Sequence, residues 1–159
     1  MAVAERQPRR LPVRVRRATR EDVPAIVALL MDDPLGATRE SEGEHSAYLT
    51  AFEAIDADPA HQLVVLEDDG EVVGTLQLTL LPGLSRGGAL RAQIEAVRVA
   101  SSRRGLGLGE GLFQWAIDEA RRRGAVMVQL TTDTSREGAR RFYERLGFVA
   151  SHVGMKMPL

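Results

Sequence analysis

The sequence contains no cysteine and a single lysine, Lys156. Without cysteine the chain cannot form disulfides or thiolate metal sites, and it cannot use a cysteine nucleophile. Its histidines have neither the H-x-x-x-H nor the H-E-x-x-H spacing, so the sequence predicts no metal site; they are His45, His61 and His152. No apolar run approaches the roughly 20 residues of a membrane span, and the net charge is −1. We therefore expect a cytoplasmic protein without nucleic-acid or membrane partners.

Length and composition predict one domain. With 159 residues and 44% hydrophobic content, the chain can bury one substantial core, but it is short for two. Residues 1–12 are polar and show no periodicity, which favours a flexible N-terminal tail. The domain is expected over residues 13–159.

Hydrophobic periodicity and turn signals predict a mixed sheet with intervening helices. The predicted strands span residues 13–17, 62–67, 72–81, 89–99, 125–131 and 148–157. Four helices are predicted. The first follows an N-cap at Thr19, the second and third span about 46–57 and 107–123, and the last begins with a capping box, Thr134-x-x-Glu137. Consecutive hairpins predict an antiparallel meander, and the later strand–helix–strand order predicts a parallel pair. The fold class is therefore α/β (α+β).

The most informative stretch is a strand that ends near Val99 and leads through a glycine-rich loop into a helix. The start of a helix leaves backbone N–H groups unpaired and carries the positive end of the helix dipole, which favours an anion. The glycines allow a phosphate to approach the backbone, and two arginines add positive charge; these residues are Arg103, Arg104, Gly105, Gly107 and Gly109. A glycine-bearing turn without a ligand is the alternative interpretation of this loop.

The spacing of the loop excludes two nucleotide motifs. A dinucleotide fingerprint G-x-G-x-x-G would need glycine in place of Glu110 or Leu112, depending on where it began. A Walker loop needs Gly-Lys followed by Ser or Thr, and the single lysine lies far from the loop.

Two motifs resemble those of the GCN5-related N-acetyltransferase (GNAT) family. The first is Arg104-x-x-Gly107-x-Gly109, which is similar to the family's pyrophosphate-binding loop. The second is the segment from Ala139 through Phe142 and Tyr143 to Gly147 and Phe148, which is similar to the family's recurrent motif in the last helix. The resemblance implies a mixed, mostly antiparallel sheet with helices on both faces. It also implies acetyl-CoA as donor and an amine acceptor that attacks the thioester directly.

The resemblance further implies which residues would bind acetyl-CoA. Backbone groups of Val97, Arg98 and Val99 would pair with the pantetheine amides, and a bulge in this strand would make room for the thioester. The pyrophosphate would lie on the loop formed by Arg104, Gly105, Leu106, Gly107, Leu108 and Gly109. Many family members have asparagine where this chain has Arg136, so we expect Arg136 to reach a CoA phosphate instead.

Two residues are candidates for proton transfer. The resemblance nominates Tyr143 as the general acid that protonates the departing CoA thiolate, and a core tyrosine is the alternative. Glu95 stands in an otherwise apolar strand segment, so we expect it to be partly buried and to act as the base that deprotonates the ammonium. A solvent-facing glutamate of an alternating strand is the alternative.

The acceptor is less defined by the sequence. A small-molecule amine or a peptide amine fits the resemblance, and the carboxylates of the acidic segment 32–44 are candidates for attracting it. The main alternative function is a non-catalytic acyl-CoA-binding module, and a weaker one is a structural domain with an empty loop. A homodimer through sheet edges or through the final predicted strand is a further expectation.

Overall fold

The computed structural model describes residues 13–40 and 45–159. The predicted flexible tail, residues 1–12, lies outside them. A five-stranded sheet runs in the order β1-β2-β3-β4-β5, with β1 to β4 antiparallel and β4 parallel to β5. The strands are β1 (Val13–Arg17), β2 (His61–Asp68), β3 (Glu71–Leu81), β4 (Arg91–Val99) and β5 (Met127–Gln129). The predicted meander and the predicted parallel pair are confirmed.

Helices cover both faces of this sheet. The α-helices are α1 (Val23–Met31), α2 (Ser46–Ala57), the short turn α3 (Ser85–Gly88), α4 (Leu108–Arg122) and α5 (Glu137–Arg145). On one face, α1 and α2 bury Val27 and Phe52 against Val65. On the other face, α4 buries Leu112 and Phe113 against the sheet. The alternation of side chains along each strand supplies an apolar surface to both layers.

The predicted bulge lies in β4. Thr75 pairs with Arg98 and Gln77 pairs with Glu95, so a single residue of β3 stands opposite Ala96 and Val97. Ala96 has φ +52°, a left-handed conformation that is uncommon for a residue with a Cβ. On its other side, β4 pairs with β5 only over Arg91–Gln93. Beyond the bulge, the far half of β4 therefore leaves β5 and opens a cleft.

Two predictions for the C-terminal part are wrong. Residues 148–157 form no strand, because the three-residue β5 offers them little edge to pair with, and Val149, Val153 and Met155 remain exposed. The last helix does not begin with a Thr134 capping box. Instead, the Asp133 carboxylate accepts hydrogen bonds from the N–H and hydroxyl of Ser135, and this competes with capping. Within residues 13–40 and 45–159, no helix is long and apolar enough to cross a bilayer.

Candidate active site

The glycine loop forms an open cradle at the start of α4. Gly105 has φ +79° and Gly107 has φ +76°, and nothing lies within 4 Å of where a Cβ would stand on either. Gly107 is also the N-cap of α4, and no side chain caps this helix. Its first N–H groups, together with the left-handed glycine backbone, form a site that suits a phosphate. The residues present therefore fit a pyrophosphate.

Gly109 has a different role in the loop. Its backbone is not left-handed, and a Cβ there would lie 3.8 Å from the Phe142 ring and 3.9 Å from the Val99 side chain. These are ordinary van der Waals distances, so the packing at this position does not itself require glycine. The position places the first turn of α4 beside both β4 and α5, the helix that carries Tyr143.

Arg104 is engaged with backbone carbonyls next to the loop. Its guanidinium donates hydrogen bonds to the carbonyl of Asp32 at 2.7 Å and to the carbonyl of Val99 at 3.3 Å. The Asp32 carboxylate accepts a 2.6 Å hydrogen bond from the Ser101 N–H, and this bond lowers the pKa of Asp32. The segment after α1 is thus fixed to the loop. The sequence analysis did not assign this role to Asp32, which lies 69 residues from Ser101.

Backbone carbonyls of β4 beyond the bulge can still accept hydrogen bonds from a ligand. The carbonyl of Val97 accepts a 2.8 Å hydrogen bond from Arg98, and the carbonyl of Val99 accepts the one from Arg104. Each carbonyl oxygen has a second lone pair. Both residues are half-buried beside the cleft, where an extended ligand can add as a further strand.

Tyr143 lies on α5 among aromatic rings. Its ring centroid is 5.4 Å from that of Phe113 and 5.6 Å from that of Phe142. Burial raises the pKa of the Tyr143 phenol, against a smaller opposite effect of the Arg136 and Arg98 guanidiniums. The phenol therefore stays protonated and able to donate at neutral pH.

Arg98 and Arg136 share one carboxylate near this tyrosine. Asp33 lies 3.3 Å from a nitrogen of each guanidinium, and only 9% of its side chain is exposed. Burial lowers the pKa of Arg98, and the Asp33 charge acts against this. Arg136, which was predicted to reach a CoA phosphate, is therefore engaged with Asp33. The sequence did not reveal this cluster, because its members come from three separate segments.

Glu95 is exposed, and the predicted partial burial is wrong. Burial alternates regularly from Arg91 to Glu95, with Ala92 and Ile94 buried on the α4 side, so Glu95 is a solvent-facing member of an alternating strand. Its side chain lies on the sheet face opposite α4, at the point where β4 leaves β5. In the part of the chain that the structure describes, no group of three or more His, Asp or Glu side chains could hold a metal ion.

A splayed strand, a phosphate cradle at a helix start and a half-buried tyrosine beside the cleft define the class of CoA-dependent acyltransferases. Comparison with known proteins supports this class. The family model of the acetyltransferase (GNAT) family matches residues 23–148. An aminoalkylphosphonate N-acetyltransferase of Salmonella typhimurium is 33% identical over 139 residues, which is 87% of this chain and 86% of the relative.

One more relative and one solved structure are also similar to this chain. A glucosamine 6-phosphate N-acetyltransferase of Trypanosoma brucei brucei is 38% identical over 90 residues, 57% of this chain and 59% of the relative. The crystal structure of a transcriptional regulator from Bacillus halodurans superposes with a TM-score of 0.89 at 45% identity, covering 92% of this chain and 99% of that one. The chain belongs to the acetyltransferase (GNAT) family. It is an acetyl-CoA-dependent N-acetyltransferase.

Proposed function

We propose that the cleft between β4 and β5 binds acetyl-CoA and that the acceptor is the primary amine of a small molecule, or else of a peptide. The pyrophosphate would lie on the cradle from Arg104 to Gly109, and the pantetheine amides would pair with the backbone from Val97 to Val99. The observation that carries this proposal is the pair of left-handed glycines at the uncapped start of α4, directly after the splayed strand. Acetyl-CoA supplies the acetyl thioester that the amine attacks.

Glu95 and Tyr143 take complementary roles in this proposal. Glu95 is exposed next to the bulge of β4 and accepts the proton of the ammonium, directly or through water, before the attack. Tyr143 donates a hydrogen bond or a proton to the departing thiolate, which its raised pKa supports. Glu95 faces away from α4 and Tyr143 packs against Phe113 of α4, so the thioester would lie between them, where β4 no longer pairs with β5. The close ion pairs around Asp33 hold Arg98 and Arg136 near the tyrosine.

A small-molecule acceptor is favoured over a peptide. One relative that matches along most of the chain is named for an aminoalkylphosphonate, and one that matches over a shorter stretch is named for glucosamine 6-phosphate. Both are small amines. The cytoplasmic location and the homodimer stay predictions.

Thermal unfolding with and without acetyl-CoA tests the cofactor site, with free CoA and NAD as comparisons. Ligand at about 100 times Kd adds roughly 2.7 kcal/mol, which raises Tm by about 5 to 10 °C for a domain of this size. Release of CoA thiol in the presence of primary amines then tests turnover. A shift without thiol release for any amine would favour the acyl-CoA-binding module, and no shift with either CoA compound would contradict the cofactor site.

A further inference from the structure

The sheet face opposite α4 carries a patch of polar side chains that continues from Glu95. Cross-strand pairing aligns Gln77 with Glu95, Thr79 with Gln93, and Gln93 with Gln129. The residues between them, such as Leu78, Ala92 and Ile94, are buried on the α4 side. Since side chains alternate along a strand, the polar ones share the other face. We call this patch the polar face; it consists of Gln77, Thr79, Arg91, Gln93, Glu95 and Gln129.

Hydrogen bonds connect the far part of the polar face. The Gln129 amide nitrogen donates to the Gln93 amide oxygen at 2.8 Å, and Arg91 Nη1 donates to the Gln129 amide oxygen at 3.4 Å. A third contact joins Gln77 Nε2 to the Thr79 hydroxyl at 3.5 Å. These bonds orient the Arg91 guanidinium over the glutamine pair.

Arg91 has no carboxylate partner among residues 13–40 and 45–159. Its Nε is buried and makes no hydrogen bond. The Nε of Arg98 is likewise buried without a hydrogen bond, but Arg98 and Arg136 share the Asp33 carboxylate. A half-buried guanidinium without a carboxylate counter-charge is costly to the protein alone, and an anionic ligand would supply that charge.

The separation along the strand fits a small acceptor. Gln93 and Glu95 lie two residues apart on one face, which is about 7 Å, and Arg91 lies two residues further, about 13 Å from Glu95 between Cα atoms. The Arg91 guanidinium contacts the glutamine pair that includes Gln93, through Gln129. An amine positioned near Glu95 and an anion near Arg91 can therefore belong to the same small molecule.

The geometry points to an acceptor amine that carries an anionic oxyacid group, a phosphonate, phosphate ester or carboxylate, bound by Arg91. This inference rests on the proposed function, because it needs the amine near Glu95. The names of the relatives support it independently, since one contains a phosphonate and the other a phosphate. Arg91 sets specificity by its planar fork of donors, which matches such oxyanions better than an ammonium does.

The test compares acceptors with and without the anion in the full chain. Steady-state acetylation is measured for 2-aminoethylphosphonate, O-phosphoethanolamine and β-alanine, with ethanolamine as the neutral acceptor. We expect kcat/KM for at least one anionic acceptor to exceed that for ethanolamine by about tenfold or more. The ranking of the three anionic acceptors then identifies the oxyacid.

Variants of Arg91 test the residue itself. Arg91→Met is expected to raise KM for the preferred anionic acceptor by about 10- to 100-fold, with kcat and the kinetics of ethanolamine nearly unchanged. Arg91→Lys should give an intermediate KM, which remains informative if the methionine variant folds poorly. Arg121→Met is the matched control, because Arg121 lies on α4 with 71% of its side chain exposed. This variant should leave KM and kcat unchanged for both the anionic and the neutral acceptor.

Two results would overturn the inference: ethanolamine used as well as the anionic acceptors, or an anion preference that survives in Arg91→Met. With either result, acetylation of ethanolamine would leave the proposed function, acetyl transfer to a primary amine, intact. Acetylation of none of these amines by a protein that acetyl-CoA stabilises would also overturn the acceptor class. Failure of acetyl-CoA to raise Tm contradicts the proposed cofactor site instead, so the two failures are distinguishable.

Discussion

An oxygen of the Asp33 carboxylate lies 3.3 Å from a guanidinium nitrogen of Arg98, and the other oxygen lies at the same distance from Arg136. Asp33 belongs to the segment after α1, Arg98 to β4 beyond the bulge, and Arg136 to the start of α5. One carboxylate thereby holds together the segments that surround Tyr143. Its neighbour Asp32 fixes the same segment to the glycine loop through Ser101.

Removing this carboxylate charge should destabilise the fold. Asp33→Asn leaves two partly buried guanidiniums without their counter-charge, so we expect the free energy of unfolding to fall by about 2 to 3 kcal/mol. Urea unfolding at neutral pH measures it. Asp118→Asn breaks the exposed pair with Arg121 and should cost under about 0.5 kcal/mol. Equal effects of the two changes would show that Asp33 stabilises nothing beyond a surface pair.

Tyr143→Phe should lower kcat by about 100-fold or more, because the phenol no longer donates to the departing thiolate. The affinity for acetyl-CoA should stay nearly the same, since the ring still packs on Phe113. Single-turnover kinetics together with acetyl-CoA titration separate these effects. Tyr48→Phe, which alters the other tyrosine of the chain, is the control. Unchanged turnover in Tyr143→Phe would remove the phenol from the mechanism.

Glu95→Gln should lower kcat/KM by about 100-fold, because the amide cannot accept a proton from the ammonium. The measurement is kcat/KM between pH 5 and 9 with one amine acceptor. Glu144→Gln alters a glutamate that pairs with Arg140 on α5 and should keep the parent profile. If Glu95→Gln has the same rate and profile as the parent, Glu95 is not the base.

Gly107→Ala should weaken acetyl-CoA binding. Gly107 and Gly70 both have positive φ and open space around a new Cβ, so alanine at either should destabilise the fold by about 1 to 2 kcal/mol through backbone strain. Only Gly107 lies in the cradle, so only its variant should lose acetyl-CoA affinity, measured by calorimetry. An equal loss in Gly70→Ala would place the cause in stability rather than in the cradle.

Acid should destabilise the protein partly through Asp22. Two hydrogen bonds from Arg16, at 2.7 and 2.9 Å, hold the pKa of Asp22 below its usual 3.8. A lowered folded-state pKa contributes stability that is fully present above the unfolded pKa and is lost as pH falls through the folded pKa. Asp22→Asn should therefore lose about 2 kcal/mol at pH 7 and show a flatter decline below pH 4. Thermal unfolding across this range measures it, and Asp69→Asn should follow the parent.

Local patterns predicted most elements because they depend on neighbours in sequence. The helix over 46–57 is confirmed to the residue, and the Asp69–Gly70 turn forms between β2 and β3. Apolar periodicity marks such a helix, and a glycine that accepts positive φ marks such a turn. The capping box at Thr134 failed because α5 has Arg136 as its N-cap, and the Asp133 carboxylate bonds Ser135 in the turn before it.

The site was predicted only in part. The glycine cradle follows from its own residues, since left-handed backbone at Gly105 and Gly107 needs no distant partner. The exposure of Glu95, however, depends on which face of β4 the helices cover, and the pairing of Arg98 with Asp33 joins positions far apart in the chain. Ion pairs between distant positions produce no periodic pattern in a sequence.

The sequence by itself determined the order of strands and helices, the helix start that suits a phosphate and the tyrosine available as an acid, because propensity, capping and side-chain chemistry are local. Only the tertiary structure decided where β4 leaves β5, which carboxylate neutralises Arg98 and Arg136, and that Arg91 has no carboxylate partner among the described residues. These features depend on strand register and on packing between distant segments. Their free energies arise only when the sheet has formed and brought those segments together.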